Sequence, residues 1–176
     1  MGSHQQQMCG FAKYNLEFNH RLFTLVAGLS DSERKKELGA FFGSVHATLN
    51  HILLADRIWL GRFATAFPAI VSLQQAELVQ QFSSLRDELY ADFTELSVQR
   101  AATDEVITRF AAELTDAQLA SSMKYSNLQG QLREHATWVA VAHMFNHQTH
   151  HRGQLTTLLH QLGHDVGVTD FVAYVS

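Results

Sequence analysis

Apolar residues at 11, 14, 18, 22, 25, 26 and 29 recur at the three-and-four spacing of one helix face. They predict a first helix over residues 11–29. The polar run at 29–32 breaks that pattern, and Ser30 followed by Glu33 reads as a capping box that opens a short turn through 34–36. A second, strongly apolar helix is predicted over 38–63. One stripe of it is small and polar: Ser44, Thr48, His51 and Ala55 share a face, while Phe41, Val45, Leu49, Ile52 and Trp59 lie elsewhere around it. Such a stripe suits one wall of a cavity. A loop around Pro68 spans 64–72. Apolar positions 78, 82, 85, 89, 93 and 96 predict a third helix over 73–99, and residues 103–105 begin a shorter one to about 114. Residues 117–135 alternate weakly, with a turn candidate at 127–130, and read as a hairpin or irregular loop. The fourth long helix covers 136–162, with Gly163 as its C-terminal cap. The tail is expected to pack through Phe171, Val172 and Tyr174. Four long amphipathic segments make an all-α, up-down four-helix bundle the economical fold, as a single domain over 1–176 with residues 1–9 flexible.

The fourth helix carries the chemistry. His143, His147 and His151 recur every four residues in HMFNHQTHHRGQLTTLLHQ. At ~100° per residue, each step of four drifts by only roughly 40°, so His147 and His151 point the same way, about 6 Å apart along the axis. That spacing lets two imidazoles grip one metal ion, as in HExxH helices, although the glutamate of that motif is absent here. A lone HxxxH more often marks a surface or core face. The polar stripe of the second helix changes the balance by adding His51. Three neutral imidazoles form a tridentate set with open positions for water or substrate. They disfavour calcium and magnesium, which want oxygen ligands, and leave zinc, nickel, iron(II), cobalt or manganese.

Composition narrows the function further. Of the 176 residues, 46% are hydrophobic, enough for a sizeable core. The net charge of −4, the pI near 6.2 and the lack of a Lys/Arg cluster argue against nucleic acid. No apolar run reaches the ~18 residues that span a bilayer. No charged start and apolar stretch mark a signal peptide. The single Cys9 cannot form an internal disulfide, which fits a cytoplasmic protein; its place near the start makes it incidental. His143 could approach a metal or substrate. His150 points about 100° from His151 and reads as a surface or interface residue, and His46 as structural. Asp56, Arg57 and Arg152 read as helix-to-helix ion-pair partners, since a buried charge needs one. Trp59 reads as core, Gly153 as a point of close helix approach, and Tyr125 as a residue hanging over the cavity.

Two strings, TLNHILLADRIWLGRF at 48–63 and FNHQTHHRGQLTTLLHQLG at 145–163, together with KYSNLQG before the last helix, strongly resemble the DinB/YfiT-like family. The resemblance covers essentially the whole chain. It implies a four-helix bundle, metal ligands at His51, His147 and His151, nickel or zinc as the metal, and homodimers. It further implies a metal-dependent enzyme acting on a small molecule, with thiol-dependent S-transferases using low-molecular-weight thiols among the relatives. No Asp or Glu close to the ligand motif presents itself as a general base, so hydrolysis lacks an expected part. The alternative is a non-catalytic metal-binding protein associated with DNA damage or stress, in which the ion only ties two helices.

Overall fold

The computed structural model describes residues 3–74, 84–127 and 129–175. Four long helices dominate them: α1 (His4–Ala27), α3 (Val45–Ala66), α5 (Phe93–Glu113) and α7 (Thr137–Gln161). Short helices α2 (Asp31–Arg34), α4 (Val71–Gln74) and α6 (Asp116–Ala120) lie between them, and a 3-10 turn, Phe171–Ala173, closes the tail. An antiparallel pair, β1 (Ser122–Ser126) and β2 (Leu132–Ala136), precedes α7. The chain is thus mostly helical, with one small two-stranded sheet among the described residues.

Each long helix passes through two apolar zones. Met8 and Ala12 of α1, Trp59 and Phe63 of α3, Phe110 of α5 and Val141 and Phe145 of α7 share one cluster. Phe18 and Leu22, Leu49 and Leu53, Phe93 and Leu96, and Leu155 and Leu159 share the other. Helices α1 and α7 run from the first zone to the second, and α3 and α5 run the opposite way. The order is therefore up, down, down, up, which corrects the expected up-down alternation. The separation of α3 from α5 by residues 67–92 is long enough to permit this parallel order.

Local chemistry accounts for the other differences. The first helix begins at His4, not at residue 11, because Ser3 caps it with a full capping box to Gln6; Met8, in the stretch expected to be flexible, is buried. The second begins at Val45. Gly39 and Gly43 both adopt positive φ, and Ser44 then accepts from the Ala47 amide as N-cap. Gly43, at φ +81°, lies in the left-handed region that favours glycine, and a Cβ there would also displace the Glu37 carboxylate, 2.5 Å away. Residues 84–92 of the expected third helix are not helical; Asp92 caps a new helix through the Glu95 amide, and residues 75–83 lie outside the described residues. The expected hairpin is present, with Ser122 opposite Ala136 and Tyr125 opposite Arg133. Gly163, at φ +86°, follows the end of α7 as expected, and the His164 amide donates back to Leu159. In the tail, Phe171 and Tyr174 pack on Tyr14, but Val172 is exposed. No described helix is long and apolar enough to cross a membrane.

Between the apolar zones lies a buried polar layer drawn from all four long helices. Arg100 of α5 donates to Asp56 of α3 at 2.5 Å and to Asp104 at 2.7 Å. Asn15 and Asn19 of α1 donate to Asp104 at 2.7 and 3.0 Å, and Gln148 of α7 donates to Asp56 at 2.7 Å. Arg152 donates to Asn15. Burial pushes the carboxyl of Asp56 up, and that of Asp104 up to about 6, against the pull of the Arg100 guanidinium. Helix-to-helix pairing was the expected role for Asp56, Arg57 and Arg152. Asp56 finds Arg100, Arg152 finds Asn15, and Thr103, Tyr90 and Gln99 surround Arg57.

Candidate metal centre

Directly beside this layer, α3 and α7 bring His51, His147 and His151 together. Their Nε2 atoms lie 3.2 Å apart for His51 and His147, and 3.1 Å apart for His147 and His151. One ligand nitrogen from each falls within 4.8 Å of the others. Four-residue spacing on α7 aligns His147 with His151, and Gln148, buried between them in sequence, anchors that face of the helix to Asp56.

Hydrogen bonds fix two of the three tautomers. His51 Nδ1–H donates to the Leu85 carbonyl at 2.8 Å, and His151 Nδ1–H donates to the Gln154 side-chain oxygen at 2.8 Å. Both Nε2 atoms therefore present lone pairs. His147 Nε2 can carry one proton and donate it once, so at least one close N···N contact is lone pair against lone pair. A shared cation satisfies all three. Tetrahedral coordination with bonds of ~2.0–2.1 Å sets ligand nitrogens roughly 3.3 Å apart, which the two close separations match. The residues fit a divalent metal.

The surroundings keep these imidazoles neutral. Burial pushes His51 down to about 4, aided by the nearby His151 ring. Burial, followed by the other histidines, pushes His147 down to about 3, and burial also lowers His151. Phe42 stacks on the His51 ring with centroids 3.9 Å apart and meets His151 edge-on at 5.5 Å. The Gly39–Gly43 turn holds it there. The sequence pattern folded Phe42 into a continuous helix, and the two glycines were the signal that it is not.

On one side of the triad opens a cavity of about 310 Å³. His51 and His147 form one end; Ala55, Ile58 and Trp59 of α3, His143 of α7 and Tyr125 of β1 line its walls, with Arg62 further along α3. Tyr125 thus takes its expected place, though from a strand. Trp59 is buried in the core and also walls the cavity. His143 lines the cavity outside the triad. His150 is exposed; its ring meets that of His151 edge-on with centroids 4.8 Å apart, and its Nε2 lies 3.2 Å from the Gln154 amide, while it stays outside the triad. His46 is buried against the Tyr90 carbonyl, 3.0 Å away. Two expectations fail. Ser44 and Thr48 do not line the cavity: Ser44 caps α3, and the Thr48 hydroxyl donates to the Ser44 carbonyl at 2.7 Å. Gly153 is exposed, with nothing within 4 Å of where a Cβ would sit, so no helix among the described residues approaches it closely.

Comparison with known proteins finds relatives along most of the chain. The model of the DinB family matches residues 1–176. The chain is 22% identical over 167 residues to Protein DinB of Bacillus subtilis (strain 168), covering 93% of this chain and 90% of that one. Its fold is similar to the crystal structure of a DinB-like protein from Bacillus cereus ATCC 10987, with a TM-score of 0.58 and 18% identity, over 86% of this chain and 89% of the other.

Proposed function

The chain belongs to the DinB family, and on that premise we propose that it holds one divalent transition metal through His51, His147 and His151 and acts as a metal-dependent enzyme on a small molecule. Nickel and zinc suit the imidazole set first, with iron, manganese and cobalt compatible. The observation that carries the catalytic reading is the cavity. Two of the three histidines end in it, so a ligand there lies against the open side of the triad. A purely structural tie between α3 and α7 has no need of that space.

When bound, a divalent ion at this site supplies positive charge that makes a water or thiol ligand more acidic. The chain's own groups do the rest. Ala55, Ile58 and Trp59 form an apolar wall that excludes water. Leu85 and Gln154 hold the Nδ1 protons of His51 and His151, keeping both Nε2 lone pairs inward. Among the described lining residues there is no carboxylate, and Asp56 is turned away to Arg100 and Gln148. His143, lowered by burial and then by Arg62, is neutral near pH 7 and is the cavity imidazole free of the triad that can accept a proton. Chemistry that needs no carboxylate base favours a low-molecular-weight thiol as nucleophile. Its transfer to an electrophile makes a small-thiol S-transferase the specific reading. The four long helices are read as one four-helix bundle in a single domain, and a cytoplasmic homodimer follows from the family resemblance.

The test is turnover. Metal-loaded protein and its His147→Ala variant are each given glutathione, bacillithiol, mycothiol or cysteine with a model electrophile. The transferase reading expects at least one thiol to react faster with the wild type. Equal rates for every thiol would leave the ion as a structural tie.

A further inference from the structure

Arg62 differs from the other buried or half-buried arginines around the centre. Arg100 meets two carboxylates, Arg152 meets Asn15 and Thr149, and Arg57 meets Thr103, Tyr90 and Gln99. Arg62 has no carboxylate partner among the described residues. Its one hydrogen bond is a long one, 3.4 Å to the Ser126 carbonyl. Its guanidinium lies 4.5 Å from the Trp59 ring centroid and 4.8 Å from that of Tyr125. Aromatic faces stabilise a cation but accept none of the in-plane N–H hydrogen bonds, of which a guanidinium offers five. Apart from the one aimed at Ser126, those donors are open to a ligand in the cavity, which Arg62 lines.

The position also fits. Arg62 follows His51 by eleven residues, three turns along the same face, so the two Cα atoms are ~16 Å apart. Side chains on a helix lean toward its N-terminus, here toward the triad. An arginine's reach leaves on the order of 10 Å between the guanidinium and the histidine nitrogens. We propose that Arg62 is the anchor for a carboxylate on the substrate, so that the ligand of this cavity is a small, extended monoanion. One end pairs with the Arg62 guanidinium and the reacting end lies against the triad. A carboxylate matches the bidentate fork of a single guanidinium. A phosphate dianion would want a second permanent cation, and Arg62 is the one arginine or lysine that lines this cavity among the described residues. The assignment of the reacting end rests on the proposed function; the anion site itself does not.

Metal-free protein tests the anion site alone. Hexanoate, hexanol and inorganic phosphate are titrated while Trp59 fluorescence is read in a Trp138→Phe background. Hexanoate is expected to bind at least about tenfold more tightly than hexanol, since a charged hydrogen-bonded pair is at stake. Arg62→Gln should abolish that preference, and Arg62→Lys should restore part of it. Equal binding of hexanoate and hexanol by the wild type overturns the proposal without any variant. So does an unchanged preference in Arg62→Gln, or phosphate binding more tightly than hexanoate. With metal restored, a series of ω-mercaptoalkanoates should bind most tightly at a chain length that spans the two ends. A flat series with the hexanoate preference intact would refute the triad as the reacting end and leave the anion site standing.

Discussion

At the scale of single residues, the centre works through protons held in place. Leu85 and Gln154 accept the Nδ1 protons of His51 and His151, and Phe42 covers the first ring, so the lone pairs are set before any ion arrives. Burial does the remaining work by holding the rings neutral. This has a pH signature. A free histidine titrates near ~6.5, whereas His51 titrates at about 4 and His147 at about 3 in the fold. Protons should therefore compete with the ion only as pH falls through about 4. Metal retained after dialysis at stepped pH is the measurement; full occupancy at pH 5.5 is expected, and half-loss near pH 6.5 would contradict it. The sign for the metal-free fold follows from the same shift. Between those values the unfolded chain binds more protons than the folded one, so stability rises with pH across the window and falls on acidification.

At the scale of elements, the polar layer fixes how α3 and α7 meet and hence where the triad forms. Arg100 is its hinge point, pairing α5 with Asp56 of α3, while Gln148 ties Asp56 to the turn of α7 that carries His147. Removing one partner of a buried ion pair leaves an uncompensated charge. Arg100→Leu should thus cost about 3–5 kcal/mol in urea unfolding, and a loss below about 1 kcal/mol would mean the layer is not what holds these helices. Parts of this were legible in the chain. Asp56 and Arg152 stood out because charges in so apolar a setting need partners. Arg100 and Asp104 did not, because the helical spacing of residues 78 to 96 runs on through Asp92 and conceals where α5 begins. Leu85 counted as one rung of that spacing, yet it is an unwound residue whose carbonyl orients His51.

At the scale of the whole molecule, the helical class, the hairpin before α7 and the three histidines could all be read from periodicity and motif. The helix order could not, because the apolar spacing of residues 78–96 suggested one continuous third helix and hid the long connection between α3 and α5. Neither could the mouth of the cavity. Ser44 and Thr48 share the face of His51, but a serine before an apolar run is as readily a helix cap, and here it is one. The apolar faces of α1 and α5 pack against each other and against their neighbours, as Phe23 against Phe93. The central claim is that the triad is one metal site, and elemental analysis of metal-loaded, dialysed protein addresses it most directly. Wild type and His150→Ala should each retain about one equivalent per chain, while His51→Ala, His147→Ala and His151→Ala, folded by circular dichroism, should each lose it. A full equivalent in His51→Ala would contradict the account.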